Sequence, residues 1–232
     1  MQLSAMCRKK NDALWNKTLS HPMLKEMAEG TLPEEKFRYY MLQDGFYLMR
    51  YIDIFAVMLE KATSLKEKRF VSDNIADVIA EIQRVHLPNM KKIGITQEDM
   101  EKSAPHIDVL SYTNYMKEIA EKGDYLSGLV AILNCSWSYA FLAEKWVKER
   151  PQKIRMSRYG DWFWAYASGD YVETNAALIR KVDDLAKTCT EKEKQDLTDV
   201  FYHCGLYEYR LWDMFYTLGD NIVGKESAYG LH

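Results

Sequence analysis

Asp44, Cys135 and Glu208 each interrupt an otherwise apolar helical stripe. Around Asp44 the stripe is Phe37, Tyr40, Met41, Leu48, Tyr51 and Phe55. Around Cys135 it is Gly128, Ile132, Tyr139, Leu142 and Trp146, and around Glu208 it is Leu197, Phe201, Cys204, Leu211, Trp212 and Phe215. Steps of three and four residues keep each set on one helix face, so the face that must be buried carries a carboxyl or a thiol. Burying an ionised carboxylate without a partner is costly, and a chain tolerates it only for a partner or a purpose. Two acids and one thiol on three predicted helices, ringed by tyrosines, read as an enclosed polar site inside a bundle. Carboxyls and thiols are the groups of proton transfer and nucleophilic attack.

Each of these residues also has a plainer explanation. A lone buried cysteine is common core filling, and Cys189 and Cys204 are read that way. Cys135 differs because Tyr139 lies one turn on and the two acids are predicted to face the same interior. Asp44 could simply bond a neighbouring helix, and Glu208 could pair with Arg210 or Arg50. Gly45 and Gly205 stand beside or near the acids. A helix-interior glycine costs about 1 kcal/mol relative to alanine, which points to close helix approach or to room for a ligand.

Other chemistries find less support. The histidines (His21, His86, His106, His203 and His232) form none of the Glu-x-x-His pairs of carboxylate-bridged metal bundles, so neither metal nor cofactor is expected. Neither a glycine-rich phosphate loop nor a GxSxG elbow occurs. The aromatic segment YGDWFWAYASGDY (Tyr159–Tyr171) reads mainly as core, with Tyr166 as its one candidate for the site.

The elements that must position these groups are helical throughout. The pattern predicts helices over Ser4–Ser20, Pro22–Glu29 with Gly30 as the stop, and Pro33 to Ala62. The next opens at Ser64 and runs to Lys91, with Pro88 bending or ending it. Thr96 and Asp99 resemble a capping box for a short helix. Asp108 opens a helix to Lys122, stopped by Gly123, and Asp124 opens another to Glu149, ended by Pro151. Arg158–Ala167 and Asp170–Lys187 follow, and Thr190 with Glu193 caps a last long helix to Leu218. Connections are short and no linker or repeat appears, so residues 1–232 read as a single all-α domain, a multi-helix bundle.

Composition bounds the rest. The 232 residues are 47% hydrophobic and 28% charged with net charge -3, as expected of a soluble globular protein. Lys and Arg are spread along the chain, which argues against nucleic acid as a partner. No run approaches about 18 apolar residues, and the N-terminus lacks a signal-peptide core, so a cytoplasmic protein without membrane contact is expected. The four cysteines fall in no metal-like spacing and read as free thiols. Sixteen tyrosines and six tryptophans, many at buried positions, suggest a polar pocket, because a buried tyrosine hydroxyl wants a partner.

Four segments together carry a family resemblance: LWNKTLSHPMLKEMAEGTLPEEKFRYYMLQDGFYL near the start, NCSWSYAFLAE, DWFWAYASGDY, and YEYRLWDMFY near the end. This spaced set, over nearly the whole chain, resembles the TenA family (thiaminase II, aminopyrimidine aminohydrolase), in its cysteine-containing branch. The resemblance implies a bundle of the haem-oxygenase-like type, a homotetramer and a pyrimidine pocket in each subunit. It implies hydrolysis of 4-amino-5-aminomethyl-2-methylpyrimidine to the hydroxymethyl compound, as in thiamin salvage, and slower cleavage of thiamin, without a cofactor. It places the nucleophile on Cys135, the acid on Glu208, the pyrimidine-bonding aspartate on Asp44 and the stacking aromatic on Tyr47. Tyr112, Tyr139 and Tyr166 fall on the family's pocket tyrosines. Asn134 and Leu211 depart from the family pattern at positions expected to shape the pocket. Open beside the resemblance stand a non-catalytic pyrimidine-binding or regulatory helical-bundle protein and, on fold analogy, a haem-dependent oxygenase.

Overall fold

The computed structural model describes residues 1–220. His232 therefore lies outside the described residues. Twelve α-helices follow one another there: α1 (Leu3–Leu19), α2 (Pro22–Glu29), α3 (Glu34–Lys61), α4 (Leu65–Glu81), α5 (Leu87–Lys92), α6 (Gln97–Lys102), α7 (Ile107–Lys122), α8 (Tyr125–Glu149), α9 (Pro151–Met156), α10 (Gly160–Tyr166), α11 (Gly169–Leu185) and α12 (Glu191–Thr217). A π-helical turn, Ile82–His86, joins α4 to α5, and a 3₁₀ turn, Ala186–Thr188, follows α11. The fold is all-α, with no strand among the described residues.

Local signals set most of these boundaries. Ser64 with Glu67, Thr96 with Asp99, and Thr190 with Glu193 form complete capping boxes, each pair satisfying two donors that the first helical turn leaves free. The Asp124 carboxylate accepts from the Ser127 N–H at 2.8 Å and opens α8. Gly30 ends α2 in the left-handed region at φ 74, where a side chain would be strained.

Three boundaries differ from the sequence expectation. Pro151, expected only as a stop, begins the unforeseen helix α9, because the first helical turn needs no N–H from it. The cap of α7 is His106, whose Nδ1 accepts from the Asp108 N–H at 3.2 Å, rather than Asp108 itself. The stretch from Ser64 to Lys91 is not one uniform helix. Its ladder widens at Ile82–His86, where the Leu87 N–H reaches back five residues to the Ile82 carbonyl. The widening lets the chain pass Pro88 without ending.

The core is one continuous cluster of buried side chains. Its axis is α8, which packs against α3, α7, α10, α11 and α12. By length and composition α8 is apolar enough to cross a membrane, contrary to the sequence reading that no such run exists; 78% of that stretch is buried inside the bundle, as in a core helix. Mutual packing of α3, α8 and α12 brings Asp44, Cys135 and Glu208 into one interior. The end of α4, α10 and α11 close its other side.

Candidate active site

A cavity of about 380 Å³ opens between α3, α4, α8, α10 and α11, within the size range of small-molecule sites. Five of the seven residues singled out from sequence line it: Asp44, Tyr47, Cys135, Tyr139 and Tyr166. Glu208 and Tyr112 do not line it. They stand behind its wall, where Glu208 borders both the Cys135 thiol and the Tyr112 hydroxyl. Tyr112 packs against Tyr47 with ring centroids 5.6 Å apart and stacks on Tyr207 at 5.4 Å.

Glu208 is 4% exposed, and among the described residues neither of its carboxyl oxygens makes a well-formed hydrogen bond. The arginines considered as partners are engaged elsewhere. Arg210 Nη2 lies 2.7 Å from Asp108, and Arg50 Nε donates to Thr113 Oγ1 at 2.6 Å. Burial raises the Glu208 pKa from 4.5 to about 7, with the neighbouring Tyr112 and Cys135 groups holding it back. Burial, followed by the Glu208 charge, pushes the Cys135 thiol well above its ordinary value, while the Tyr47 hydroxyl opposes this. Cys135 is nonetheless partly exposed, as its place on the cavity wall requires. Thiol and carboxyl thus adjoin at the edge of a cavity, and each shifts the titration of the other.

On the far side of the cavity stands a cluster that sequence reasoning did not assemble. His86 Nε2 lies 3.3 Å from Asp44 Oδ2 and 3.9 Å from Glu81 Oε1. The Tyr166 hydroxyl donates to Glu81 Oε1 at 2.6 Å and lies 3.3 Å from His86 Nε2. Burial lowers the His86 pKa to about 4, so the imidazole is neutral near pH 7. Burial, then the Glu81 charge, raises the Asp44 carboxyl well above the usual range, with Tyr40 opposing. Burial also raises Glu81 from 4.5 to about 7, against the Tyr166 hydrogen bond. Glu81 continues a stripe of Val71, Asn74, Val78 and Val85 at helical steps, so the pattern that marked Asp44 also marks Glu81. His86 had no such signal. Five residues along an ideal α-helix, it would lie roughly 140° around from Glu81, and the π turn brings the two closer to one face.

The remaining side chains divide between support and site. Tyr47 packs on Tyr51 at 5.5 Å and directs its hydroxyl to the Met116 sulfur at 3.9 Å. Tyr139 packs against Tyr166, Trp162 and Trp212. Asn134 and Leu211 do not line the cavity. Asn134 donates to the Phe201 carbonyl at 2.8 Å and to Asn11 Oδ1 at 3.3 Å, tying α8 to α12 and α1. Gly205 serves that same junction: a Cβ there would meet Asn11 Oδ1 at 2.2 Å. A Cβ on Gly45 would meet only Met90 Cε at 3.5 Å, ordinary contact, so close approach explains Gly205 and not Gly45. Among the described residues, no group of three or more His, Cys, Asp and Glu side chains is arranged to hold a metal ion.

Comparison with known proteins is consistent across sequence and structure. Residues 8–218 match the TENA/THI-4/PQQC family. A Helicobacter pylori protein named aminopyrimidine aminohydrolase is 30% identical over 216 residues, covering 93% of this chain and 99% of that protein. The solved structure of a TenA homologue from P. horikoshii OT3 superposes with a TM-score of 0.84 at 27% identity, covering 94% of this chain and 99% of that one. A domain from Shewanella denitrificans described as having a heme oxygenase-like fold superposes with a TM-score of 0.72 at 16% identity, covering 100% and 99% of the two chains. That last likeness is one of fold alone.

Proposed function

The chain belongs to the TENA/THI-4/PQQC family, and on that premise we propose that it is an aminopyrimidine aminohydrolase. Its substrate on this reading is 4-amino-5-aminomethyl-2-methylpyrimidine, hydrolysed to the hydroxymethyl pyrimidine for thiamin salvage, with thiamin cleaved by the same route. The observation that carries the reading is the buried Glu208 carboxyl, with no cation and no well-formed hydrogen bond among the described residues, beside a cavity-lining thiol. A structural acid would have found a cation or a full set of hydrogen bonds.

The mechanism follows from the shared protons. Above pH about 7 the pair holds one proton, mostly as thiol and carboxylate, since Glu208 titrates near 7 and Cys135 far higher. Transfer of that proton to Glu208 creates the thiolate and removes the negative charge that had held the thiol protonated. The thiolate adds to the pyrimidine carbon next to a ring nitrogen, and Glu208 gives its proton to that nitrogen as the ring electrons arrive there. Electron density from the 4-amino group then expels the substituent's amine and leaves an exocyclic methylene. Water adds to the methylene and gives up one proton to a carboxylate of the cavity, the electrons return to the ring, the C–S bond breaks, and the proton on the ring nitrogen goes back to the pair.

Asp44, across the cavity, accepts from the 4-amino group and stabilises the charge that develops on it. Tyr47, Tyr139 and Tyr166 bound the ring, and Tyr112 supports Tyr47 and Glu208. The assembled enzyme on this reading is a homotetramer working in the cytoplasm, where its four free thiols stay reduced. The test is a product assay with purified protein on the aminopyrimidine and on thiamin side by side. Hydroxymethyl pyrimidine is expected from both, faster from the aminopyrimidine. No product from either at micromolar enzyme overturns the reading in favour of a non-catalytic pyrimidine binder.

A further inference from the structure

The cavity carries more acid than the chemistry above uses. Among the described residues, Asp44, Asp77, Glu81 and Asp170 line it against a single basic residue, Arg84. Glu81 is the best placed of the unused groups. Its side chain is 15% exposed, and it pairs with no lysine or arginine among the described residues. One of its oxygens is held by the Tyr166 hydroxyl at 2.6 Å. The neutral His86 approaches both Glu81 and Asp44 through the same nitrogen, so the two carboxyls meet at one edge of the imidazole. On the pyrimidine, the 4-amino group and the 5-methylene are neighbouring substituents. With the amino group on Asp44, a ring can place its neighbouring departing group within reach of Glu81, which lines the same cavity and meets the same imidazole nitrogen.

We propose that Glu81 is a second catalytic carboxylate, which holds the cationic substituent of the substrate and then takes a proton from the water that replaces it. The inference rests on the aminohydrolase reading and deepens it. Both substrates of that reading carry a cation at this position, an ammonium in one and a thiazolium in the other. A carboxylate in a secluded wall attracts such a cation strongly, and although Arg84 lines the same cavity, no salt bridge among the described residues ties it to Glu81.

The proton count closes with this residue included. The C–N bond breaks with its electron pair going to nitrogen, so the ammonium departs as neutral ammonia. Glu81 is then a free carboxylate next to the methylene. Water oxygen bonds to the methylene carbon, its proton passes to Glu81, and the electrons of the double bond return to the ring. The released proton leaves Glu81 to solvent before the next cycle. Its pKa of about 7 suits a group that must take and return a proton near neutrality. Tyr166, by its hydrogen bond to Oε1, fixes the carboxylate's orientation and acts as a positioning residue.

The experiment separates the cation from the ring. Affinities for the aminomethyl pyrimidine and the neutral hydroxymethyl product are measured by calorimetry on full-length Cys135→Ser, with and without Glu81→Gln. Adding Glu81→Gln is expected to weaken the aminomethyl compound at least tenfold and to leave the hydroxymethyl compound within threefold, which also reports an intact pocket. In enzyme that keeps Cys135, Glu81→Gln is expected to lower kcat on the aminomethyl compound by at least a hundredfold. Equal loss for charged and neutral ligands, or unchanged affinity for the charged one, overturns the cation role. Turnover within threefold of wild type overturns the proton role. A wild-type enzyme without turnover defeats the aminohydrolase reading separately, because the binding comparison needs no reaction.

Discussion

Replacing Glu208 with glutamine should stabilise the protein while disabling it, and the stabilisation should depend on pH. Folding moves the Glu208 pKa from 4.5 to about 7 through burial. Below about pH 4.5 the carboxyl is protonated in both the folded and unfolded chains, and it contributes nothing to the balance between them. Between about 4.5 and 7 the unfolded chain has released the proton while the folded chain keeps it, so stability falls as pH rises. Above about 7 the full cost is present. A shift of roughly 2.5 units at about 1.4 kcal/mol each gives an order of 3 kcal/mol. Glutamine has the same shape and no charge to desolvate. The variant should therefore match wild type near pH 4.5 and exceed it by up to about 3 kcal/mol at pH 8. For a chain of this length that corresponds to a rise of roughly 6–12 °C in Tm. Turnover at pH 8 should fall by about 10²–10⁴-fold, the range of a lost proton donor. The assay is thermal unfolding of both proteins across pH 4.5–8, beside turnover on the aminopyrimidine. A Tm difference that stays constant over this range would refute the buried-acid argument. Unchanged turnover would make Glu208 a structural group, whatever the stability shows.

Cys135→Ser should abolish turnover while leaving helix content and ligand binding intact, since a serine hydroxyl is a far weaker nucleophile at neutral pH; a rate within tenfold of wild type would rule out the covalent route. Gly205→Ala should destabilise by about 1–3 kcal/mol, because the new Cβ collides with Asn11 Oδ1 where α1 meets α12. Chemical denaturation reads this, and an unchanged midpoint would mean that the junction can shift without cost. Light scattering at micromolar concentration should give the mass of a homotetramer, and a monomer would remove that part of the proposal.

The sequence by itself determined the helices and which of their faces are buried. Capping boxes at Ser64, Thr96 and Thr190 and the glycine stop at Gly30 act within a few residues, so their effect is local and legible. Helical periodicity is equally local, and it exposed Asp44, Cys135 and Glu208 as polar groups on faces that must be covered. The same pattern held Glu81, at the end of the stripe of Val71, Asn74, Val78 and Val85, where an acid near a helix end passes for a solvated one. Tertiary structure alone decided how these faces meet. Periodicity says that a face is buried and not what buries it, so it gave no way to see that Glu208 and Tyr112 stand behind the cavity wall while Asp44 stands on it. Nor did it show that Glu208 lacks the arginine partner its neighbours in sequence offered, because Arg210 turns to Asp108 on α7. The π turn is the clearest case. Its one extra residue per turn falls between α4 and α5, just ahead of Pro88 in the first turn of α5, and that shift helps bring His86 Nε2 to both Asp44 and Glu81. Hydrogen bonds within a turn are set by neighbours in sequence, whereas the sharing of one imidazole nitrogen by two acids is set by the packing of helices from distant parts of the chain.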